Sequence, residues 1–358
     1  MKKILVFIFF LNCVPAFYAQ KNNALAEKIR EQYKIPELAY AVVSSDSIFE
    51  MEALGYQRNN SSFKAKIDDR FRLGSMTKTI TSYIATLLVK EGKIKWDTKF
   101  FDLYPELKTK SNPNTYNFTL QDFLTFRAKL PIWSYGNQTP TQKEITGNDQ
   151  QQRYEFIAWF FRQNFDVEKQ DIYWSNPSYV AAGLMLEKAT GKAYETLVKE
   201  LGKSLNIDFD FGQPNIKDKN QPWGHDENLK PEKPALNYKL NWLSSAGNIN
   251  CSLPDYCKFS QMQLQGLLGK SKLLTAEEFN NMHYGFPEYS FGWQSEIKEN
   301  GLKYSFHNGS PGTFLTKVYL CPSINKAFIL FANVQSEEAD QGLMILLNKL
   351  QEQYEGRF

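Results

Sequence analysis

The sequence predicts an α+β fold built around one antiparallel sheet. Strand-like patterns of apolar residues lie near both ends of the 358-residue chain, whereas the middle has mainly helical periodicity. Strands and helices do not alternate regularly, which argues against a doubly wound parallel sheet. Because neither group of strands makes a satisfactory sheet alone, we expect both ends to combine in one sheet. The terminal helices should then cover one face and the helical middle the other.

The N-terminal part predicts one helix followed by two strands. Leu25, Ile29 and Tyr33 recur at helical spacing, which indicates an amphipathic helix. Residues 38–43 and 47–54 are separated by a Ser-Ser-Asp turn and are typical of a pair of adjacent strands.

The middle of the chain predicts a series of helices separated by polar loops. Ile80, Ile84 and Leu88 form an apolar face, so we expect a buried helix that ends near Gly92. Further helices are predicted at residues 120–126, 153–165, 176–190 and 254–267. Residues 208–240 are rich in Asp, Asn, Lys and Pro and predict a loop with little regular structure.

The C-terminal part returns to strand periodicity and ends in an amphipathic helix. Strands are predicted at residues 289–297, 304–307, 313–320 and 326–334, and the helix at residues 338–354. We therefore divide the chain into an α/β lobe of residues 20–70 and 285–358 and a helical lobe of residues 71–284. An active site at the seam of the two lobes is expected.

The composition is that of an ordinary globular protein. Hydrophobic residues make up 42% of the chain, and 42 lysines and arginines nearly balance 39 aspartates and glutamates. The formal net charge is +3, and no basic run exceeds what a solvated surface carries. We therefore expect no nucleic-acid partner.

The first nineteen residues have the organisation of a secretory signal. Two lysines precede an apolar run from Ile4 to Val14, and Ala19 stands before a polar break. This pattern predicts cleavage after Ala19 and a periplasmic or secreted mature protein of residues 20–358. The run is short for a membrane span and no later segment is long enough, so we expect no stable span.

Cysteine and histidine usage predicts neither a disulfide framework nor a metal site. The mature chain contains Cys251, Cys257 and Cys321, and an odd number excludes a fully paired set. A bridge between Cys251 and Cys257 stays open. The three histidines do not cluster with cysteines, so no metal and no cofactor is predicted.

A Ser-x-x-Lys segment where an apolar helix begins is the strongest chemical signal. Ser75 and Lys78 are three residues apart and would share one helix face. A serine hydroxyl is a poor nucleophile until a neighbouring base takes its proton, and a partly desolvated lysine can be that base. A serine that merely caps a helix is the simpler interpretation of this segment taken alone.

Further motifs occur in the order of a known superfamily. They are Ile35-Pro36 with Gly55, Asp69 to Lys78, Phe123-Leu124-Thr125 with Leu130-Pro131, Trp174-Ser175-Asn176 with Tyr179 and Gly191, Ser245-Ala246-Gly247, Phe291-Gly292-Trp293, and His307-Asn308-Gly309-Ser310-Pro311-Gly312. With these motifs the chain resembles the serine β-lactamase and penicillin-binding protein superfamily. It is most similar to the branch that holds class C-like β-lactamases, esterases and D-aminopeptidases. The resemblance covers nearly the whole mature chain and implies the β-lactamase/transpeptidase-like fold.

The resemblance also implies a role for each residue of the nucleophile side. Ser75 would attack an amide or ester carbonyl, and Lys78 would accept the proton. Asn176 would orient Lys78 and the substrate. An acyl-enzyme route needs this division between a nucleophile and a proton carrier.

The third motif would supply the opposite wall of the site. By resemblance, His307 would complete the catalytic set, and His307 and Gly309 would lie on an edge strand facing Ser75. The oxyanion hole would be the backbone N–H of Ser75 and one near Ser310. Fixed donors of this kind stabilise the charge that develops on the carbonyl oxygen.

Two motifs depart from the family pattern. Trp174 stands where the family has a tyrosine, and an indole cannot relay a proton. Tyr173 is the neighbouring candidate for that relay, and Trp174 is a candidate for substrate binding. Residues 126–129 read Phe-Arg-Ala-Lys where the family often shows a His-Thr-Ser-Gly-like run.

Two functions follow from this set. The first is an exported serine hydrolase that cleaves a β-lactam, a D-amino peptide or a carboxylic ester through a Ser75 acyl-enzyme. The second is a catalytically weak or inactive relative that binds peptidoglycan-type ligands in the same cleft, for which Trp174 would provide a stacking surface. In both, the partner is a small molecule or a peptide.

Overall fold

The structure is a computed structural model that describes residues 13–166, 171–233 and 238–356, with their side chains apart from those of residues 13–20 and 238. Within these ranges it contains thirteen α-helices. They are α1 (Cys13–Gln32), α2 (Thr77–Lys90), α3 (Phe100–Leu103), α4 (Pro105–Lys108), α5 (Leu120–Leu124), α6 (Asp149–Arg162), α7 (Asn176–Thr190), α8 (Tyr194–Leu205), α9 (Tyr238–Trp242), α10 (Ser244–Gly247), α11 (Leu253–Leu267), α12 (Ala276–Tyr284) and α13 (Glu337–Glu355). Residues 1–12 of the predicted signal lie outside the described ranges.

Nine strands in the described ranges form two antiparallel sheets. They are β1 (Glu37–Val43), β2 (Ile48–Gly55), β3 (Arg70–Arg72), β4 (Asp210–Phe211), β5 (Ile249–Ser252), β6 (Gln294–Ile297), β7 (Lys303–Gly309), β8 (Leu315–Cys321) and β9 (Lys326–Ala332). The large sheet has the order β2-β1-β9-β8-β7-β6. Strands from the two ends of the chain meet at the antiparallel β1–β9 pair, which confirms the predicted α+β fold.

Both faces of the large sheet are covered by helices. On β1, Leu38, Tyr40 and Val42 belong to the core under α1 and α13, whereas Ala39 and Ala41 belong to the core of the helical part. Helix α13 packs on β9, and α11 packs on β1 and β9. The period of two along β1 is the pattern expected of a strand between two layers.

The small sheet, with the order β3-β5-β4, is not predicted by the sequence. Its strands are two to four residues long, which is too short for a periodic pattern to stand out. Phe71 pairs with Cys251, and the Arg70 guanidinium bonds to Asp208 Oδ2 at 2.7 Å. This sheet carries the chain into the segment that holds Ser75.

The loop before β6 is the main departure from the predicted strands. Only Gln294–Ile297 of the predicted strand at residues 289–297 is extended, because the chain turns back where Ser290 N–H donates to Trp293 O. Gly292 has φ +81°, and a Cβ added there would lie 2.7 Å from Lys78 O. The turn therefore packs directly on the backbone of α2 and buries Tyr289.

Two further points complete the comparison with the sequence. Six of the described helices are not among the predicted elements, namely α3, α4, α8, α9, α10 and α12. Four of them are only four or five residues long, whereas α8 buries Leu197, Val198 and Leu201 on one face. Cys251, Cys257 and Cys321 are free and buried, so the structure contains no bridge between the first two.

Candidate active site

Ser75 lies in the tight turn that joins β3 to α2. Gly74–Met76 form one turn of 3₁₀ helix, and α2 continues directly from Thr77. Gly74 has φ +53°, and a Cβ added there would lie 2.7 Å from Ser310 N. Glycine is thus required at residue 74 both by its backbone conformation and by the close approach of the loop after β7.

Lys78 is hydrogen-bonded to two of the residues predicted to work with it. Its Nζ lies 2.9 Å from Ser75 Oγ and 2.9 Å from Asn176 Oδ1. A third partner, Ala246 O at 2.7 Å, belongs to the Ser-Ala-Gly motif on α10. The structure therefore brings the predicted nucleophile, base and amide into direct contact.

The orientation of the Asn176 amide is fixed by a second contact. Asn176 is the first residue of α7, and its Nδ2 donates to Trp133 O at 3.2 Å. Because Nδ2 is engaged there, Oδ1 must face Lys78, and the amide cannot flip without losing both bonds. The N-cap of α7 is Ser175, whose Oγ donates to Pro131 O at 2.8 Å.

Burial makes Lys78 an unusually weak base for a lysine. Desolvation lowers the pKa of Lys78 from its ordinary 10.5 to about 7, since the charged ammonium loses its water. Lys78 Nζ lies 5.5 Å from the centroid of the Tyr179 ring, and no carboxylate bonds to it among the described residues. A substantial fraction of Lys78 is therefore neutral near pH 7.

His307 lies near the end of β7, where the sheet edge is open. β6 pairs with residues 303–306 of β7 only, so His307, Asn308 and Gly309 extend beyond it. The structure thus makes β6 the edge strand, but leaves this three-residue stretch of β7 unpaired on its outer side. His307 makes no hydrogen bond to Ser75 or Lys78 among the described residues.

The surroundings of His307 hold its imidazole neutral. Burial and the nearby Lys78 charge lower the pKa of His307 to about 3. His307 Nδ1 lies 2.8 Å from Asn308 O, which can only accept, so Nδ1 carries the ring proton. Nε2 is then an acceptor, and it lies 3.4 Å from the hydroxyl of Tyr289.

The segments that carry the two predicted oxyanion donors pack against each other. Gly309 packs against Leu73 O so closely that any Cβ would overlap it, and Ser310 N abuts Gly74. In the described part of the chain neither the Ser75 N–H nor the Ser310 N–H donates to a backbone acceptor. Two free N–H groups at this junction can bind a developing oxyanion.

Within the described ranges, neither Trp174 nor Tyr173 makes a contact that would let it relay a proton to Ser75 or Lys78. Trp174 is 45% exposed, and its ring packs on Phe126 and Tyr289 at centroid distances of 5.3 and 4.9 Å. Tyr173 N–H donates to Phe126 O, but its hydroxyl makes no hydrogen bond to Ser75 or Lys78 in the described ranges. The structure therefore does not bring the Tyr173 hydroxyl into the catalytic set.

Two tyrosines that the sequence analysis did not assign lie at the site. Tyr179 runs beneath Lys78, and its hydroxyl donates to Leu124 O at 2.7 Å. Tyr289 is fully buried, with its hydroxyl 3.1 Å from that of Tyr179. Tyr179 was visible as part of the second motif, whereas nothing in the spacing of Tyr289 links it to His307.

The described residues contain no group of three or more histidine, cysteine or acidic side chains placed to hold a metal ion. None of the described helices has the length and apolar character needed to cross a bilayer.

Fold and site together have the Ser-x-x-Lys arrangement of the serine β-lactamase and penicillin-binding protein superfamily. The chain belongs to the beta-lactamase family, whose model matches residues 22–352. Among curated proteins it is similar to protein flp of Staphylococcus aureus (strain COL), with 22% identity over 328 residues. The match covers 89% of this chain but only 64% of flp, so this chain is the shorter of the two.

Solved structures show the same fold at low identity. An octameric penicillin-binding protein homologue from Pyrococcus abyssi has a TM-score of 0.74 at 18% identity, and the match covers 92% of this chain and 77% of that one. A class C beta-lactamase from Rhodobacter sphaeroides has a TM-score of 0.72 at 16% identity, covering 92% and 99% of the two chains. Together with the family model over residues 22–352, this shared fold confirms the predicted superfamily.

Proposed function

We propose that the protein is a serine hydrolase that cleaves an amide or ester through a Ser75 acyl-enzyme, with Lys78 as the base. The observation that carries this proposal is the set of partners around Lys78 Nζ. A neutral amine has two N–H groups and one lone pair. Asn176 Oδ1 and Ala246 O can only accept, so they take the two N–H groups. The lone pair is left for the Ser75 hydroxyl at 2.9 Å.

The reaction uses this arrangement in both directions. Ser75 Oγ bonds to the carbonyl carbon while its proton passes to Lys78, and the oxyanion is held by the N–H groups of Ser75 and Ser310. Collapse breaks the bond to the leaving amine or alcohol, which takes the proton from Lys78. Water then attacks the acyl-enzyme, gives its proton to Lys78, and Ser75 recovers that proton as the acid departs.

The mouth of the site favours a substrate with an apolar acyl group. Trp174 and Ile132 are 45% and 61% exposed on neighbouring segments, since Ser175 Oγ donates to Pro131 O. The unpaired stretch of β7 offers hydrogen bonds to an extended backbone beside them. β-Lactams, D-amino peptides and carboxylic esters all meet these conditions.

Export of the mature chain is part of the same proposal. Its support is the charge and apolar pattern of the first nineteen residues. N-terminal sequencing of protein secreted by an expressing host tests it, and a start at Gln20 is the expected result.

A labelling experiment tests the acyl-enzyme. Purified protein is treated separately with a fluorescent penicillin and a fluorophosphonate, and the adduct is located by peptide mass spectrometry. We expect mass addition at Ser75 in the wild type and none in Ser75→Ala. Absence of labelling in the wild type would falsify the proposal. Penicillin binding that survives Ser75→Ala without turnover would instead favour the non-catalytic binding role.

A further inference from the structure

Tyr289 holds a position between the two departures from the family pattern. The rings of Phe126 and Trp174 lie 4.6 and 4.9 Å from the Tyr289 ring. Arg127 Nη1 donates to Tyr289 O at 3.0 Å and to Thr125 O at 3.0 Å. The unusual segment 126–129 and the unusual Trp174 therefore converge on one residue.

The backbone of segment 126–129 places the Phe126 ring against Tyr289 through an uncommon conformation. Phe126 has φ +58°, in the left-handed region that favours glycine, and it is fully buried. Its carbonyl accepts from Tyr173 N–H. A bulky residue persists in such a conformation where its surroundings over-determine it. Here the ring lies between Trp174, Tyr179 and Tyr289.

The hydroxyl of Tyr289 has two neighbours, and the proton that each neighbour already donates elsewhere decides whether it can donate to Tyr289 or only accept. Tyr179 uses its proton on Leu124 O, so towards Tyr289 it can only accept. His307 uses its ring proton on Asn308 O, so Nε2 also can only accept. Both neighbours can therefore only accept a hydrogen bond from the Tyr289 hydroxyl. The single Tyr289 proton can serve only one of them at a time, Tyr179 at 3.1 Å or His307 Nε2 at 3.4 Å, and among the described residues Tyr289 is the one hydrogen-bond partner of His307 Nε2.

We propose that Tyr289 is a positioning residue for His307. Tyr289 lies in the loop before β6, and its hydroxyl bonds to His307 of the third motif. This hydroxyl would replace the tyrosine hydroxyl that the family has at the position of Trp174. It fixes the His307 ring as the tautomer protonated on Nδ1, with Nε2 accepting. This inference rests on the proposed hydrolase function for its kinetic consequence, but not for the hydrogen bond itself.

The 3.4 Å separation of Tyr289 and His307 is long for a hydrogen bond. Catalytic hydrogen bonds are often long in the free enzyme and shorten in the reacting complex. The groups that face His307 are Lys78, whose charge disfavours imidazolium, the Asn308 carbonyl and the Tyr289 hydroxyl. The ring therefore stays neutral while the hydroxyl orients it.

A double-mutant cycle tests whether Tyr289 acts through His307. Tyr289→Phe keeps the ring contacts and removes only the hydroxyl. With p-nitrophenyl butyrate we expect kcat to fall about tenfold, the effect of about one hydrogen bond, with KM within about twofold. In a His307→Gln background the same change should alter kcat by less than about twofold. Equal losses in both backgrounds would overturn the proposal, since a purely structural role acts in either.

Nuclear magnetic resonance reads the bond without any turnover. In protein labelled with ¹⁵N-histidine, the Nε2 resonance of His307, assigned through His307→Gln, should shift in Tyr289→Phe. It should not shift in Tyr304→Phe, which removes another tyrosine hydroxyl from β7 itself, one that donates to Glu355. An unmoved resonance in Tyr289→Phe contradicts the inference. A moved resonance in a protein that neither hydrolyses nor labels would instead contradict the proposed function alone.

Discussion

The α2 side and the β7 side of the site hold their bases in different ways. Lys78 Nζ has three hydrogen-bond partners at 2.7, 2.9 and 2.9 Å, whereas His307 Nε2 has one at 3.4 Å. Burial lowers the pKa of both groups, to about 7 for Lys78 and to about 3 for His307. Equal burial thus yields one base that titrates near neutral pH and one that stays neutral. In the proposed reaction the lysine would exchange a proton, and the histidine would stay neutral beside it.

The strongest test of this contrast removes the amine. Lys78→Met should lower the rate of Ser75 labelling by a fluorophosphonate about 10²–10⁴-fold, the usual contribution of a general base. Lys349→Met, on the exposed face of α13, is the matched control and should leave the rate unchanged. A Lys78→Met protein that keeps a tenth of the wild-type rate would mean that the base lies elsewhere.

Removing the amide that aims the lysine should have a smaller effect. Asn176→Ala deletes one partner of Lys78 and the bond to Trp133 O. We expect kcat for p-nitrophenyl butyrate to fall about 10- to 100-fold, because hydrogen bonds to charged groups contribute about 1.5–3 kcal/mol. Asn114→Ala, at an exposed position, is the control. Unchanged kcat in Asn176→Ala would separate Asn176 from the catalytic set.

The pH dependence distinguishes the two bases directly. Lys78 must be neutral to accept a proton, so kcat/KM should rise about tenfold per pH unit below 7 and level off above it. His307 is neutral throughout this range and should add no step between pH 5 and 9. A second inflection that disappears in His307→Gln would show that the histidine titrates as well.

The titration of Lys78 also determines whether the free energy of unfolding rises or falls with pH. The pKa of Lys78 is lower in the folded protein than in the unfolded chain, so the unfolded chain binds more protons between about pH 7 and 10.5. The free energy of unfolding should therefore rise with pH through this window. Urea titrations at pH 7 and pH 9 should show the rise in the wild type and a smaller rise in Lys78→Met.

The smallest expected effect concerns the exposed indole. Trp174→Tyr restores the residue type of the family motif, but the side chain at this position packs on Phe126 and Tyr289 rather than on Lys78. We expect no gain in kcat, and a rise of about threefold in KM for longer acyl esters, from the smaller apolar area. A clear gain in turnover would show instead that the new hydroxyl reaches Lys78.

The difference between the two sides also explains what the sequence could predict. Ser75 and Lys78 are three residues apart, and residue spacing predicted that the two side chains can meet if the turn is helical. Asn176 and His307 were proposed from the resemblance, because their positions relative to α2 depend on how distant elements pack. The antiparallel sheet was predictable because the sequences of β1 and β9, which pair with each other, have the pattern of apolar residues that is typical of strands.

Tyr289 shows where prediction from sequence ends. It lies in a segment that was assigned to a strand, and its position depends on the turn at Ser290 and Gly292. The contact with His307 also needs Arg127 and Phe126, which are more than 150 residues away in the chain. No periodicity or spacing encodes such an arrangement. The sequence analysis instead proposed Tyr173, beside Trp174, as the proton relay, and its hydroxyl makes no hydrogen bond to Ser75 or Lys78 among the described residues.

The short β6 has a consequence for the behaviour of the protein in concentrated solution. An unpaired strand edge can pair with the edge of another molecule, which is a common start of aggregation. Only His307, Asn308 and Gly309 are left unpaired by β6, and the strand ends at Gly309. So short a stretch of β7 offers the strand of another molecule few backbone hydrogen bonds. This stretch of β7 can therefore pair with a short extended ligand more readily than with the strand of a second protein molecule.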